Sequence, residues 1–166
     1  MDIAITWDPI ACRGDWSIVN GDLSLGDSLA SAVLVSLFTE RVAPELPSSA
    51  DAAVGITAAA GPTGSIGADR RGWWGDAFAD VPIGSRLWQL RRAVKSGEAA
   101  IPAEVKIIVA EALQWLLDDG IAASISIDAW WNSQNRQMVE FSVIIAEPGS
   151  ETPRTFQFSW AWRELS

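Results

Sequence analysis

The chain has 166 residues, with 12 Lys+Arg against 21 Asp+Glu, a net charge of −9 and a sequence pI near 4.4. One cysteine, Cys12, and no histidine exclude an intrachain disulfide, His/Cys zinc sites, Ser-His-Asp triads and Cys-His dyads, and the acidic balance argues against nucleic acid as the main partner. At 49% hydrophobic and 20% charged, the composition is globular and of one domain's length, read here as residues 1–166, with no apolar run long enough to span a membrane and no secretory-signal pattern in Met1–Trp7.

Ile3 and Ile5 alternate with polar neighbours, so residues 2–6 read as a short strand. Residues 16–25 read as a hairpin, because Asn20-Gly21 supplies the positive φ angles of a tight turn. Asp27 is placed to cap a helix over 28–40. Its apolar residues Leu29, Ala30, Val33, Leu34, Leu37 and Phe38 cover about half its circumference. That width fits a central core helix or one covered partly by a partner.

Residues 42–69 are rich in Ala, Gly, Pro and Ser and nearly uncharged, and they read as a long loop inside the domain. Arg70-Arg71-Gly72-Trp73-Trp74-Gly75-Asp76 follows as a turn-rich segment. Residues 85–95 read as a helix with Leu87, Leu90 and Val94 on one face and Trp88, Arg91, Arg92 and Lys95 on the other. Trp88 there is placed to stack under Arg92 or to anchor a partner. Pro102, at a favoured first-turn position, opens a helix that Gly120 ends. Val105, Ile108, Val109, Ala112, Trp115 and Leu116 line its core face. Three period-2 runs follow, over 121–129, 139–145 and 156–162, separated by turns at 132–135 and at Pro148-Gly149. The predicted fold is α+β: a C-terminal antiparallel meander with about three helices on one face, preceded by a short N-terminal strand and hairpin.

Ten tryptophans and no tyrosine favour cores and protein interfaces. Residues 70–95 hold Arg70, Arg71, Arg86, Arg91, Arg92 and Lys95 against Asp76 and Asp80, so this segment is +4 and the remainder −13. A basic patch on an acidic molecule fits the acidic face of another copy or another protein. The candidate partner-interface residues are therefore Arg70, Arg71, Trp73, Trp74, Asp76, Arg86, Trp88, Arg91, Arg92 and Lys95. In the 70–76 segment, Arg70 or Arg71 should bond Asp76 or a backbone carbonyl. One of Trp73 and Trp74 should be buried and the other exposed, as in an extended chain.

Two other chemistries are open to these residue types. Asp118-Asp119, or Asp76 with Asp80, could serve as the carboxylate pair of a glycosidase. Trp73 and Trp74, or Trp160 and Trp162, could form the ring platform of a carbohydrate-binding module. Gly61–Gly67 is glycine-rich but lacks the strand, helix and Lys of a phosphate loop. No cofactor or metal is implied.

Several blocks in order resemble the Mu-like bacteriophage baseplate protein family: residues 2–8, Ser31–Arg41, Asp69-Arg-Arg-Gly-Trp-Trp-Gly-Asp76, Gly84–Trp88 and Glu111–Gly120. The resemblance implies a non-enzymatic wedge component of a contractile tail of phage, prophage or phage-derived origin. It further implies kinship to the small, "lysozyme-like" wedge proteins that start sheath assembly. Partners would be other wedge proteins, with sheath and central spike or hub proteins beyond them. The protein would sit in the virion tail after assembly in the host bacterial cytoplasm, with no membrane insertion. Where many such wedge proteins carry Glu-Pro-Arg, this chain has Leu117-Asp118-Asp119-Gly120.

Overall fold

A computed structural model describes residues 2–8, 13–56, 70–93, 99–135 and 138–161. Six short strands come first: β1 (Asp2–Ile3), β2 (Ile5–Asp8), β3 (Arg13–Trp16), β4 (Ile18–Val19), β5 (Asp22–Leu23) and β6 (Leu25–Gly26). β1 pairs with β6, β2 with β3 and β4 with β5, all antiparallel. The Ala4 N–H donates to the Ser24 carbonyl at 2.8 Å and the Ser24 N–H to the Ser17 carbonyl at 2.9 Å, so the ribbons join into one N-terminal arm. Asn20 and Gly21 both have positive φ (54° and 82°), as the predicted hairpin turn requires. β3 was not expected, because Arg13-Gly14-Asp15-Trp16 has no apolar alternation of its own and is ordered by pairing with β2.

Helix α1 (Ser28–Phe38) starts where Asp27 Oδ1 accepts the Leu29 N–H at 2.9 Å. Of its residues only Ser28 is exposed, which makes it a core helix. It ends two residues earlier than expected because the chain turns to pair elsewhere. The Arg41 N–H donates to the Ser85 carbonyl (3.0 Å) and the Ser85 N–H to the Thr39 carbonyl (2.9 Å).

The described part of the expected loop, residues 42–56, is ordered. It contains helix α2 (Ser49–Ala53), started by a reciprocal cap in which Ser48 Oγ accepts the Asp51 N–H and Asp51 Oδ2 accepts the Ser48 N–H. Val54 and Ile56 behind it are buried. One short turn of helix has no periodicity to read, so composition alone misjudged it. Residues 57–69, with the glycine-rich run, lie outside the described residues.

A 3₁₀ turn (Trp74–Phe78), α3 (Leu87–Ala93) and α4 (Ala100–Asp118) complete the helices. α4 runs about 28 Å at 1.5 Å per residue. It buries Ile101, Val105, Ile108, Val109, Ala112, Leu113 and Leu116. Strands β7 (Ser124–Trp131), β8 (Met138–Ala146) and β9 (Arg154–Ala161) form an antiparallel sheet in that order. β7 begins at Ser124 rather than Ile121 because the Ala122 N–H still closes the helix end on the Leu116 carbonyl (2.8 Å). Alternate residues Val139, Phe141, Val143, Ile145 and Phe158 face the helices and are buried. Phe158 touches Phe141 (ring centroids 5.4 Å) and Phe38 of α1 (5.5 Å), tying sheet to helix. The α+β architecture is as the patterning predicts. The Trp160 side chain and all of Trp162 lie outside the described residues.

Candidate docking surface

The turn at 73–83 is organised by one carboxylate. Asp76 Oδ2 accepts the Trp73 N–H at 3.3 Å and Oδ1 accepts the Ile83 N–H at 3.1 Å. The Trp73 ring lies across Gly75, where a Cβ would fall 2.0 Å from a ring carbon, so a larger residue would push the ring aside. Trp73 is itself extended (φ −102°, ψ 138°) and the 3₁₀ turn begins only at Trp74. The expected division of Trp73 and Trp74 into one buried and one exposed ring is not found. Both are exposed, Trp74 at 77%, with ring centroids 5.1 Å apart and planes at 47°. Phe78 (86% exposed) and Val81 of the same turn are also exposed. Sequence reading did not single out these two, which flank Asp80 in the chain.

The cations of this region have internal partners. Arg70 donates to the Ala43 carbonyl through Nε (3.0 Å) and Nη2 (2.7 Å), which is the backbone-carbonyl alternative of the two expected, and pairs with Glu45 at 3.5 Å. Arg71 has a positive φ of 41°, bonds Glu40 and lies 5.2 Å over the Trp88 ring. Arg71 is thus a cation over Trp88; the expected stacking with Arg92 falls on a side chain outside the described residues. Trp88 is buried and its Nε1–H donates to the Arg41 carbonyl at 2.9 Å. It was expected on the polar face of its helix; a distant backbone acceptor lets it turn inward. The side chains of Arg91 and Arg92, and Val94 and Lys95 entirely, lie outside the described residues.

Arg86 is buried as well, at the centre of a charged cluster. Its Nη1 donates to Asp51 Oδ1 and its Nε to Glu111 Oε2, each at 2.8 Å, and Nη1 also reaches Gln89 Oε1 at 3.2 Å. Arg41 approaches Glu111 at 3.5 Å. Burial by itself lowers the Arg86 pKa, but the bonds to Asp51 and Glu111 outweigh it and the net direction is up. Burial by itself raises Asp51, yet the Arg86 hydrogen bond and the Ser48 N–H and hydroxyl hold it at about 2. Glu104 on α4 is 3% exposed. Burial pushes its carboxyl up to about 7, with the hydrogen bond to Asp51 and the Asp51 charge acting in the same direction. At neutral pH it is divided between the protonated and charged forms, and when protonated it serves as donor to Asp51. Its Oε1 is buried without a hydrogen-bond partner among the described residues. Arg86 thus sits inside the molecule, not on the expected interface. Asp51, Glu104 and Glu111 were not singled out from sequence. The available signals were the Ser48-x-x-Asp51 cap spacing and a glutamate three residues after Ile101 on an apolar helix stripe.

The carboxylates proposed for hydrolysis are differently placed. Asp118 and Asp119 are exposed at the C-terminus of α4, with Asp118 accepting from Gln114 Nε2 at 2.9 Å. Asp76 is committed to the turn. The pair with divergent pKa values, Asp51 and Glu104, is sealed from solvent and unreachable by a sugar chain. The tilt between Trp73 and Trp74 also departs from the flat platform on which a sugar ring stacks.

The matched sequence profile of the family described as Phage protein GP46 covers residues 29–152. The chain belongs to this family. The matched span contains α1 to α4, the tryptophan turn and the Arg86 cluster. "Mu-like prophage FluMu protein gp46" of Haemophilus influenzae (strain ATCC 51907 / DSM 11121 / KW20 / Rd) is 34% identical over 164 residues, covering 96% of this chain and 98% of that protein. "Baseplate protein gp46" of Escherichia phage Mu is 37% identical over 134 residues, covering 77% and 76% respectively. The resemblance to Mu-like phage baseplate proteins read from the sequence therefore stands. Among the described residues no helix is long and apolar enough to cross a membrane.

Proposed function

We propose that this GP46-family chain is a structural, non-enzymatic baseplate protein of the virion tail. Within that role, it is a single-domain wedge component that docks neighbouring baseplate subunits and takes part in starting the sheath. The exposed Trp73, Trp74 and Phe78 on a turn fixed by Asp76 and Gly75 carry this reading. Large rings held rigidly in solvent lose little entropy on binding and serve as interface anchors. Arg70, Arg71 and Arg86 are engaged by internal acids, so the exposed rings rather than these cations are the anchors in this reading. The naming of the phage Mu relative as a baseplate protein supports the same direction. Other baseplate components are the partners in this reading, with sheath and spike or hub proteins as the finer possibilities to test.

The test is the variant Trp73→Ala with Trp74→Ala. Because both rings are already in water, unfolding free energy should change by about 1 kcal/mol or less. In tails assembled with the variant as the sole copy, its incorporation should fall sharply, read by quantitative mass spectrometry of purified particles. Normal incorporation with normal infectivity would refute the turn as a docking site. Cleavage of peptidoglycan by the purified wild-type protein would refute the non-enzymatic reading.

A further inference from the structure

Residues 44–56 run over the molecule as a strap. Of them only Asp51, Val54 and Ile56 are buried. The leading end is pinned at Ala43, whose N–H donates to the Arg70 carbonyl at 3.1 Å and whose carbonyl accepts from the Arg70 guanidinium. Pro44 and Pro47 follow and bring no backbone N–H with which to tie the chain down. α2 then lies against α4, and Asp51 carries its one charge into the interior. Both Asp51 oxygens have partners there: Oδ2 accepts the Ser48 N–H and hydroxyl, and Oδ1 accepts from Arg86 at 2.8 Å. A helix of five residues is not stable in water by itself, so α2 depends on being docked.

The acid that meets Asp51 inside is Glu104 of α4. Among the described residues, the charged groups acting on it are Asp51 from α2, Arg86 from the turn into α3 and Glu111 further along α4. Arg41 lies behind Glu111 at 3.5 Å, and Gln89 of α3 meets Arg86 at 3.2 Å. Arg86 is already committed to Asp51 and Glu111, and Glu104 Oε1 is buried without a hydrogen-bond partner. Two buried carboxylates in contact cannot both ionise, because neither offers a donor and no solvent screens them. A proton on Glu104 turns that repulsion into a hydrogen bond to Asp51. We propose that this proton is a latch: while Glu104 and Asp51 share it, α2 is held on α4, and its loss frees the strap 44–56 while the helix and sheet core stays folded. Release uncovers Arg86, Glu104 and the apolar ground beneath Val54 and Ile56. The sign follows from the two states. Glu104 titrates near 4.5 at its ordinary value, the strap being off, and at about 7 with the strap on, so each pH unit between favours release about tenfold. Asp51 acts the other way, but only below its ordinary value of 3.8.

The test is native-state hydrogen exchange of the full chain from about pH 5 to about pH 8, corrected for intrinsic exchange and repeated in low urea. The reporters are the Val54 N–H, which donates to the Ala50 and Asp51 carbonyls, and the Ile56 N–H, which donates to the Asp51 carbonyl at 2.9 Å. Their protection should fall about tenfold per pH unit up to about 7 and then level off. It should respond little to urea, because release exposes little surface. Amides of Val109 in α4 and Phe141 in β8 should stay better protected and depend steeply on urea. Glu104→Gln keeps a donor for Asp51 and cannot ionise, so it should hold the strap amides at one level across the range. Protection at Val54 and Ile56 that ignores pH would overturn the latch. So would protection that falls together with the core amides at the same urea slope, since the proton would then act on global stability and not on a separate strap. If Glu104→Gln does not fold, the wild-type pH series and its urea slopes decide the matter. No baseplate is required, so failure here leaves the incorporation test of Trp73 and Trp74 untouched.

Discussion

Replacing Arg86 with alanine is expected to destabilise the protein by about 3–5 kcal/mol, the cost of stranding buried charge. Arg86 supplies the positive charge between Asp51 of α2 and Glu111 of α4, with both contacts at 2.8 Å. Without it, Asp51 stays buried with no cation, its charge stabilised only by the Ser48 donors and by Glu104 when that carboxyl is protonated. The cluster therefore either takes up a proton or opens. Opening releases α2, because Asp51 is also the residue that closes the α2 cap. Urea unfolding at neutral pH measures the loss, and proteolysis of the native state should speed up within 42–56. Arg86→Lys should recover only part of the stability, since an ammonium cannot present donors to Asp51 and Glu111 in the fixed geometry of a guanidinium. A loss below about 1 kcal/mol for Arg86→Ala would mean that the cluster contributes nothing beyond a surface pair.

Stability should fall as pH rises from about 4.5 to about 7, and Glu104 is the reason. Its carboxyl titrates near 4.5 when unfolded and about 7 in the fold. Between those values the folded chain holds a proton that the unfolded chain has released, so raising the pH favours unfolding. The contribution is fully present below 4.5 and lost once the folded carboxyl ionises, roughly 3 kcal/mol for a shift of this size. Asp51 acts with the opposite sign. Held at about 2 against 3.8 unfolded, it contributes stability above 3.8 that disappears as pH falls toward 2. Together the two groups place the optimum near pH 4 to 4.5. Glu104→Gln keeps the shape of the protonated acid and a donor for Asp51, and cannot ionise. The variant should lose the decline between pH 4.5 and 7 and be the more stable protein at pH 8. Parallel pH profiles for wild type and variant, from thermal unfolding over this range, would remove Glu104 as the cause.

The patterned parts of the fold were legible because each signal is local. The alternation in 138–146 and 154–161 specifies strands with one buried face whatever surrounds them. Asp27 and the Leu29–Phe38 stripe specify α1, and Asn20-Gly21 specifies its hairpin. The Arg-Arg-Gly-Trp-Trp-Gly-Asp block was readable as a special turn and as a family signature. Its interior geometry was not, since the placement of both rings depends on how the Asp76 carboxylate closes the turn onto the Trp73 and Ile83 N–H groups.

The amino-acid sequence by itself determined the α+β class, the order of its main elements, the family and the exclusion of histidine and paired-cysteine chemistry. Tertiary structure alone decided where the charges go. Arg71 meets Glu40, Arg70 meets Glu45, and Arg86 meets Asp51 and Glu111, pairs separated by 25 to 35 positions in the chain. Three of the six cations in the segment that is +4 in sequence, Arg70, Arg71 and Arg86, are thereby paired in space. Hydrophobic periodicity reports the side of an element that leaves water, and it does so residue by residue. An ion pair depends on two distant groups arriving within a few ångströms, and whether an arginine becomes a docking cation or a buried anchor is set by which acid the fold brings to it.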